Sequence, residues 1–335
     1  MSAKTWLPSS PIGFPSGGLA TSAFVAAWIE DFRQAMIDIG LTQTADTGQF
    51  DAGAFTFTYN DDVYGVVGPE QTYLMFAMND DLHDDYPLFI RVGFRVCGGV
   101  SKEDGYAPAT SVQVGTGTDG AGVLTGHVSG AMTYGAGWGY GNTNAYQFTP
   151  QRQSWACLSK EKGFLGVMFA PGSRFNNDYD QRFAVVAFFL ERVPDAFGSP
   201  TGDGFTLWAR NVPHVDSYAS SNDQNYPSVV TAAAQTVMLN GFSSGVVAHS
   251  VPYIAASQFL AAGDIYLNHA YHTCPAPVRS VGLAAVSSVH GVSEGALLEF
   301  TPYGTVPSTF VSIGYGAAFR PCGATASANP CFLFE

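Results

Sequence analysis

The sequence predicts a mainly β protein, built from antiparallel β-sandwich or barrel-like domains with one N-terminal amphipathic helix. Three observations lead to this fold class. Short apolar runs recur after residue 48, turn residues such as those at 60–62 and 200–204 separate them, and only one stretch has a strong helical period. Many short strands at this spacing, without a second helix of similar strength, are typical of sandwiches and barrels.

The predicted helix follows a Pro/Gly/Ser-rich segment at residues 9–18. Thr21 or Ser22 can cap its N-terminus, and Gly40 is placed to end it in a left-handed conformation. Apolar residues recur at helical spacing between these ends: Phe24, Trp28, Phe32, Ala35, Met36 and Ile39. We therefore expect an amphipathic helix whose default partner is the core of its own domain.

The predicted strands of the first 210 residues are 54–58, 72–78, 88–96, 111–114, 164–169, 183–192 and 205–208. Those of the second half are 229–239, 246–249, 265–268, 281–285, 297–301 and 309–313. In residues 88–96 an apolar face alternates with a face that carries Arg91 and Arg95, which predicts a central strand. A long loop over residues 79–86 would join this strand to the preceding one.

The chain is expected to divide into three parts. Residues 1–20 would form an extended N-terminal arm, residues 21–200 a helix plus β-sandwich domain, and residues 201–335 a second β-rich domain. The boundary between the two domains is expected near residues 195–225, where the composition is typical of loops. Most aspartates and aromatic residues precede this region, and Ala/Val/Ser-rich strands follow it.

Charged residues make up only 12% of the chain, about half of the usual ~25%. A surface that is poor in charge and rich in aromatic residues is typical of protein interfaces, which favours an assembly over a β protein that has no partner. The net charge is −13, and the 14 Lys and Arg residues are scattered. Direct binding of nucleic acid needs a basic stripe, so we expect that this protein does not bind nucleic acid directly.

The five cysteines are an odd number and widely spaced, which argues against a disulfide framework. Buried thiols are favoured, although a bridge between Cys322 and Cys331 stays open. We expect no signal peptide, because no continuous apolar stretch follows Lys4. We also expect no membrane insertion, because no apolar run reaches the ~20 residues of a span.

Several short motifs have a chemical and a plain structural interpretation. Residues 115–120 match GxGxxG, but the stretch that follows is broken by glycine, so a turn is favoured over a dinucleotide site. His269, His272 and Cys274 have the spacing of zinc ligands but no fourth ligand nearby, so structural histidines are favoured. The acidic stretches at 79–85 and 176–180 lack the order of a calcium loop, and solvated turns are favoured.

The signatures of nucleophilic and metalloprotease catalysis, G-x-S-x-G and HExxH, do not occur in the sequence. Paired carboxylates for glycoside hydrolysis can be drawn from the 27 acidic residues of any fold, so their number is not evidence. We therefore predict no catalytic residue, no metal site and no cofactor, and a protein that is not an enzyme.

Three stretches carry a family resemblance. They are the helix end with GLTQTADTGQ at residues 40–49, the pair FAMNDDL and PLFIRVGF within 76–94, and VQVGTGTDGAG at 112–122. Their order resembles virion or tail proteins of tailed bacteriophages over about residues 20–125. The resemblance implies a virion component made in the cytoplasm of a host bacterium, and it brings no catalytic residues.

The leading hypothesis is a structural subunit of such a virion that belongs to the tail (baseplate, fibre or tail tip). Its expected partners are other virion proteins and copies of itself. The alternatives are a head decoration protein and a receptor- or carbohydrate-binding module that contacts a host surface glycan. A Gly/Asn-rich loop over residues 134–146 offers aromatic side chains for either contact, as does the N-terminal arm. The candidate contact residues are Trp138, Tyr140, Tyr146, Trp6 and Phe14.

Overall fold

A computed structural model describes residues 2–6, 22–57, 69–98, 106–129, 131–135, 147–149, 154–175, 183–194, 199–210, 227–231, 236–237, 260–261, 265–267, 278–280, 283–287, 297–300, 308–312 and 328–334. Within these ranges the protein is mainly β, with one α-helix and antiparallel pairing throughout its sheets. The predicted fold class, sandwich-like β sheets with one N-terminal helix, is therefore confirmed.

The elements of the first 210 residues are β1 (Ser2–Trp6), α1 (Ser22–Asp38), β2 (Thr42–Gln43), β3 (Thr72–Ala77), β4 (Phe89–Gly98), β5 (Tyr106–Gly115), β6 (Gly117–Thr118), β7 (Leu124–Thr125), β8 (Met132–Gly135), β9 (Gln147–Thr149), β10 (Ser154–Ser159), β11 (Phe164–Phe175), β12 (Phe183–Pro194) and β13 (Pro200–Arg210). They are followed by β14 (Pro227–Thr231), β15 (Thr236–Val237), β16 (Leu260–Ala261), β17 (Ile265–Leu267), β18 (Val278–Ser280), β19 (Leu283–Ser287), β20 (Leu297–Phe300), β21 (Ser308–Ser312) and β22 (Ala328–Leu333).

Three larger sheets contain most of these strands. The first sheet has the order β2-β3-β4-β5-β8, and the large sheet has the order β1-β10-β11-β12-β13-β14-β15, with β9 also paired to β11. The third sheet has the order β16-β19-β22-β21-β20. Two short hairpins, β6–β7 and β17–β18, complete the described strands.

Helix α1 ends as the sequence predicts. Gly40 has a φ of 112°, its amide donates to the carbonyl of Ile37 at 2.9 Å, and the amide of Leu41 donates to Met36 at 3.1 Å. These two bonds form a Schellman motif, which satisfies carbonyls that the helix end would otherwise leave unpaired. The motif turns the chain sharply into β2.

The main core lies where α1 packs between the first sheet and the large sheet. Phe32 is fully buried, and its ring lies 5.9 Å from Phe94 of β4 and 5.5 Å from Phe169 of β11, centroid to centroid. Trp28 contacts the same two rings. Edge-to-face aromatic pairs of this kind add to the free energy gained by burial. The amphipathic face of α1 is therefore buried on two sides.

The predicted central strand at residues 88–96 corresponds to β4, which lies in the middle of the first sheet. In β4, which pairs with β3 and β5, Ile90, Val92 and Phe94 face the core and are at most 1% exposed. Arg91 and Arg95 lie on the opposite face of the first sheet, as the alternation predicts. The residues between β3 and β4 form the expected long loop.

The prediction of a strand at residues 54–58 is wrong for residues 54–57, the part that the structure describes. Residues 52–54 form a turn, in which the amide of Gly53 donates to the Asp51 carboxylate at 2.8 Å. Phe55 and Phe57 pack instead against the main core without pairing as a strand. A local side-chain acceptor competes here with strand pairing, which is the usual effect of aspartate before glycine.

The large sheet contains three strands that the sequence did not predict, β1, β9 and β10. β1 lies inside the predicted N-terminal arm, where Ser2–Trp6 pairs with β10. β10 itself is buried at all six positions. The large sheet also includes strands from both sides of residue 200, because β13 begins there and β14 extends it. The division into domains stays a prediction, and the predicted strand at 246–249 lies outside the described residues.

The acidic stretch at 79–85 is not simply a solvated turn, because Asp80 is buried. Its carboxylate accepts from Nε of Arg192 and, at 2.8 Å, from Nη2, and both side chains are 0% exposed. The same guanidinium donates to the carbonyls of Tyr86 at 2.6 Å and Gly202 at 2.8 Å. This bidentate pair fixes the β3–β4 loop to the large sheet. The second acidic stretch, at 176–180, and the His269–Cys274 motif lie outside the described residues.

Cys157, in β10, carries a thiol that is completely buried, and burial raises the pKa of this thiol to about 12. A thiol of this kind is inert, as a structural cysteine is. Cys331 lies in β22, and Cys322 lies outside the described residues, so their bridge stays an open question. None of the helices in the described ranges is long and apolar enough to cross a membrane.

Candidate functional site

The three stretches that carry the family resemblance meet at one place in the fold. Asp46, from the first stretch, contacts Thr118 and Gly122 of the third. Arg91, from the second, donates through Nε to the carbonyl of Gly122 at 2.9 Å. They meet on the face of the first sheet that is turned away from α1. We call the β6–β7 hairpin, residues 117–125, the contact hairpin.

The contact hairpin is shaped by its own polar residues and glycines. The Asp119 carboxylate accepts from the amides of Ala121 at 2.8 Å and Val123 at 3.0 Å, and the Asp119 amide donates to the Val123 carbonyl at 3.0 Å. Gly120 and Gly122 have φ values of 78° and 92°. The GxGxxG motif therefore spans the end of β5, the strand β6 and the turn after it, and the strand β7 follows where a dinucleotide site would need a helix.

Hydrogen bonds to Asp46 hold the contact hairpin in place. Its Oδ1 accepts from the hydroxyl of Thr118 and, at 3.1 Å, from the amide of Gly122. The neighbouring Thr47 amide donates to the Gly120 carbonyl at 3.0 Å. Burial alone would raise the pKa of Asp46, but hydrogen bonds from Thr118, Thr44 and the Gly122 amide outweigh it and lower the pKa below 3.8.

A second group of side chains supports the contact hairpin, and it consists of Tyr73, Arg91 and Glu70. The guanidinium carbon of Arg91 lies 4.4 Å from the centroid of the Tyr73 ring, and the Tyr73 hydroxyl donates to the carbonyl of Thr47. Glu70 receives two hydrogen bonds from Arg91, one of them 2.8 Å long. A cation that is stacked on a ring and paired with a carboxylate has little freedom left, so this support is rigid.

Gly93 leaves the room that Glu70 needs. A Cβ at this position of β4 would lie less than 3.0 Å from Glu70 Oε2 and from the hydroxyl of Ser111. The carboxylate therefore passes directly over the strand and also comes within 3.7 Å of Arg95. A glycine inside a central strand often marks such a close approach.

A small apolar cluster seals the underside of the contact hairpin. Leu124 is 7% exposed and packs with Tyr73 and Met75 of β3, and Phe89 and Val128 lie against the same cluster. Because residues alternate along a strand, Val123 and Thr125 point the other way, and both are exposed. Val123 is 59% exposed, which is high for an apolar side chain on a rigid support.

The buried groups of this site are suited to structural support and not to acid–base chemistry. The pKa of Asp46 is lowered, so its carboxylate stays ionised near pH 7. Burial and the nearby Asp46 raise the pKa of Tyr73, so its hydroxyl stays protonated. A general acid or base works best with a pKa near the working pH, and neither group has one. Among the residues that the structure describes, no cluster of His, Cys, Asp or Glu could hold a metal ion.

Of the five candidate contact residues, the structure describes one, Trp6. Trp6 lies in the edge strand β1, where its backbone pairs with Ser154. The other four, Phe14, Trp138, Tyr140 and Tyr146, lie outside the described residues. Their proposed role in contacts stays a prediction.

Sequence reasoning missed Asp46, Glu70 and Tyr73 as members of one cluster. Asp46 and Gly122 are 76 residues apart, and no local period links them. The signal that was available is composition, because both ends of the cluster are short stretches of Thr, Asp and Gly. Such residues form side-chain hydrogen bonds with nearby backbone, which marks an ordered loop.

Replacing Asp46 by Asn is expected to lower the free energy of unfolding by about 1–3 kcal/mol at pH 7, because hydrogen bonds to a charged acceptor are lost. The pKa of Asp46 is lowered in the fold, so its stabilisation is present above the unfolded-state pKa and disappears as pH falls through the folded-state value. The difference between the two proteins should therefore shrink from pH 5 downwards in urea titrations. The exposed Asp84→Asn serves as control, and an equal pH dependence for both variants would contradict this assignment.

Comparison of the chain with protein-family models, with curated proteins and with solved structures gives no match. The resemblance to phage virion proteins is therefore untested by these comparisons.

Proposed function

We propose that this chain is a non-enzymatic structural subunit of a tailed-bacteriophage virion, a tail component that assembles with copies of itself and with other virion proteins. The observation that carries the proposal is the arrangement around the contact hairpin. The three stretches that resemble phage virion proteins pack against one another there, and Asp46 of the first and Arg91 of the second bond to the hairpin of the third. Such a rigid, presented loop suits a contact between subunits.

The charge pattern supports the same proposal. The partly buried Arg91 is paired with Glu70, and the fully buried Arg192 with Asp80, so both cations already have a carboxylate partner. Charged residues are scarce along the chain, and interface cores are depleted in charge. The tail position rests on the family resemblance alone.

The test is to locate the chain in purified phage particles. Mass spectrometry of gradient-purified virions should detect it at a fixed stoichiometry to the major structural proteins, and immunogold labelling should place it on the tail. Labelling of the head instead of the tail would identify the chain as a head decoration protein. Absence from the particles would contradict the proposal.

A further inference from the structure

Strand β1 lies at the edge of the large sheet and is held there mainly by its backbone. It pairs with β10 along its whole length, while Ser2, Ala3 and Thr5 are exposed. It also contacts α1, where Lys4 is paired with Asp38, and these two side chains are 30% and 37% exposed. A salt bridge that is this open to solvent adds little to stability. The pairing with β10 is therefore the main interaction that fixes β1.

Strand β10 depends on this cover much more than β1 does. All six of its residues are buried, and Ala156 and Leu158 belong to the main core. One edge of β10 pairs with β11 and the other with β1. Without β1, the second edge would present unpaired amide and carbonyl groups next to the core, and such an edge attracts strands of other chains. The edge of β10 is thus a site for an extended strand, and Ser2–Trp6 is the strand that occupies it.

The same contact can form within one copy or between two copies. β1 and β10 are far apart in the sequence, and residues 7–21 join β1 to α1. A stretch of this length spans at most roughly 50 Å, which is enough to reach an adjacent copy. Exchange of β1 replaces each hydrogen bond within a copy by the same bond between copies, so it costs little free energy.

The charge of β1 suits a contact between copies of an acidic protein. Each copy carries a net charge of −13, so most surfaces of two copies repel each other. β1 contains a cation, Lys4, and no carboxylate, and beside β10 it meets the carboxylate of Asp38. We propose that subunits exchange this strand, so that β1 of one copy pairs with β10 of a neighbouring copy in the register that sets Ala3 opposite Cys157.

This inference rests on the proposed function, which requires copies to associate. The test is carbodiimide cross-linking of the full chain over a concentration series, because this reagent joins a lysine amine directly to a carboxylate in contact with it. The products are separated on a denaturing gel and digested with trypsin. Peptides 1–33 and 34–91, linked through Lys4 and Asp38, should appear in bands of two or more chains. Their recovery from the single-chain band alone, or from no band, would overturn the inference.

Lys4→Arg shows whether this link is what joins the chains. Arginine keeps the charge and can pair with Asp38, but carbodiimide does not couple a guanidinium, so the bands of two or more chains should be lost. Lys162→Arg is the matched control at an exposed position between β10 and β11, and it should keep these bands. Bands that persist in Lys4→Arg at wild-type intensity would overturn the inference, since the chains would then be joined elsewhere.

A charge exchange tests the same contact without a reagent. Lys4→Asp and Asp38→Lys each place like charges at the contact, so each variant alone should associate more weakly than the wild type, about tenfold. When both are produced in one cell with different affinity tags, they should purify together, because opposite charges then meet at both contacts of a mixed pair. If mixed pairs form no more readily than pairs of either variant alone, β1 stays within its own copy.

The outcomes separate this inference from the proposed function. If the linked peptides are confined to the single-chain band while the chain is present in purified particles, another surface joins the subunits and the proposed function stands. If the linked peptides join two chains but the chain is absent from purified particles, the exchange of β1 stands and the role in the virion is contradicted.

Discussion

Replacing Arg192 by Met is expected to lower the free energy of unfolding by about 3–5 kcal/mol, because the carboxylate of Asp80 is left buried without its partner. Asp80→Leu should cost a similar amount for the opposite reason, since a buried guanidinium then lacks its counter-charge. Both side chains are fully buried in the wild type. Urea titration followed by tryptophan fluorescence measures each loss.

The double variant Asp80→Leu/Arg192→Met should lose less than the sum of the two single losses, because no buried charge remains. It should still be less stable than the wild type, since the carbonyls of Tyr86 and Gly202 lose the donor that Arg192 provides. The exposed neighbour Asp81→Asn should change stability little. If the double variant instead lost the sum of the two single losses in free energy of unfolding, the two charges would not stabilise each other, and the pair would not be coupled as proposed.

Gly122→Ala is expected to destabilise the protein by about 2–4 kcal/mol and to release the contact hairpin. An alanine at a φ of 92° is strained, and its Cβ would lie less than 3.0 Å from the Tyr73 hydroxyl. Tyr73 would have to leave its hydrogen bond to Thr47 and its contact with Leu124. Hydrogen exchange should then become faster across residues 117–125.

Gly120→Ala separates the two causes. Gly120 has a similar φ of 78°, but an added Cβ there meets nothing within 4 Å. This control should show the backbone strain alone, about 1–2 kcal/mol, and should leave the hairpin docked. Equal losses and equal exchange for the two variants would mean that the close approach of Tyr73 has no effect.

The fold class could be predicted because it depends on local periods. The 3.6-residue period identified α1, and the alternation in β4 placed its apolar face correctly even though the partners of that strand were unknown. The strand β1 could not be predicted in this way, since its stability comes from pairing with β10, more than 140 residues later. Short polar strands at sheet edges carry little signal of their own.

The candidate site was less predictable than the fold. The sequence identified the Gly/Asp stretch at 115–120 as a turn, but its partner Asp46 is set by tertiary packing. Asp80 illustrates the same limit, because an aspartate in an acidic run usually faces solvent, and only Arg192 makes its burial favourable. Pairs of this kind are separated by too many residues for any local pattern to reveal them.

The separation between Asp80 and Arg192 has a consequence for synthesis. The guanidinium is translated 112 residues after the carboxylate, which at ~5–20 residues per second is a delay of roughly 6 to 20 s. During this interval the chain gains first β4, β5 and β8 of the first sheet and then β10 and β11 of the large sheet, while β12, which carries Arg192, is completed only at its end. A slow ribosome or a scarce chaperone would thus expose Trp28 and Phe32 for longer, and the yield of this protein should depend on the speed at which residues 154–210 are made.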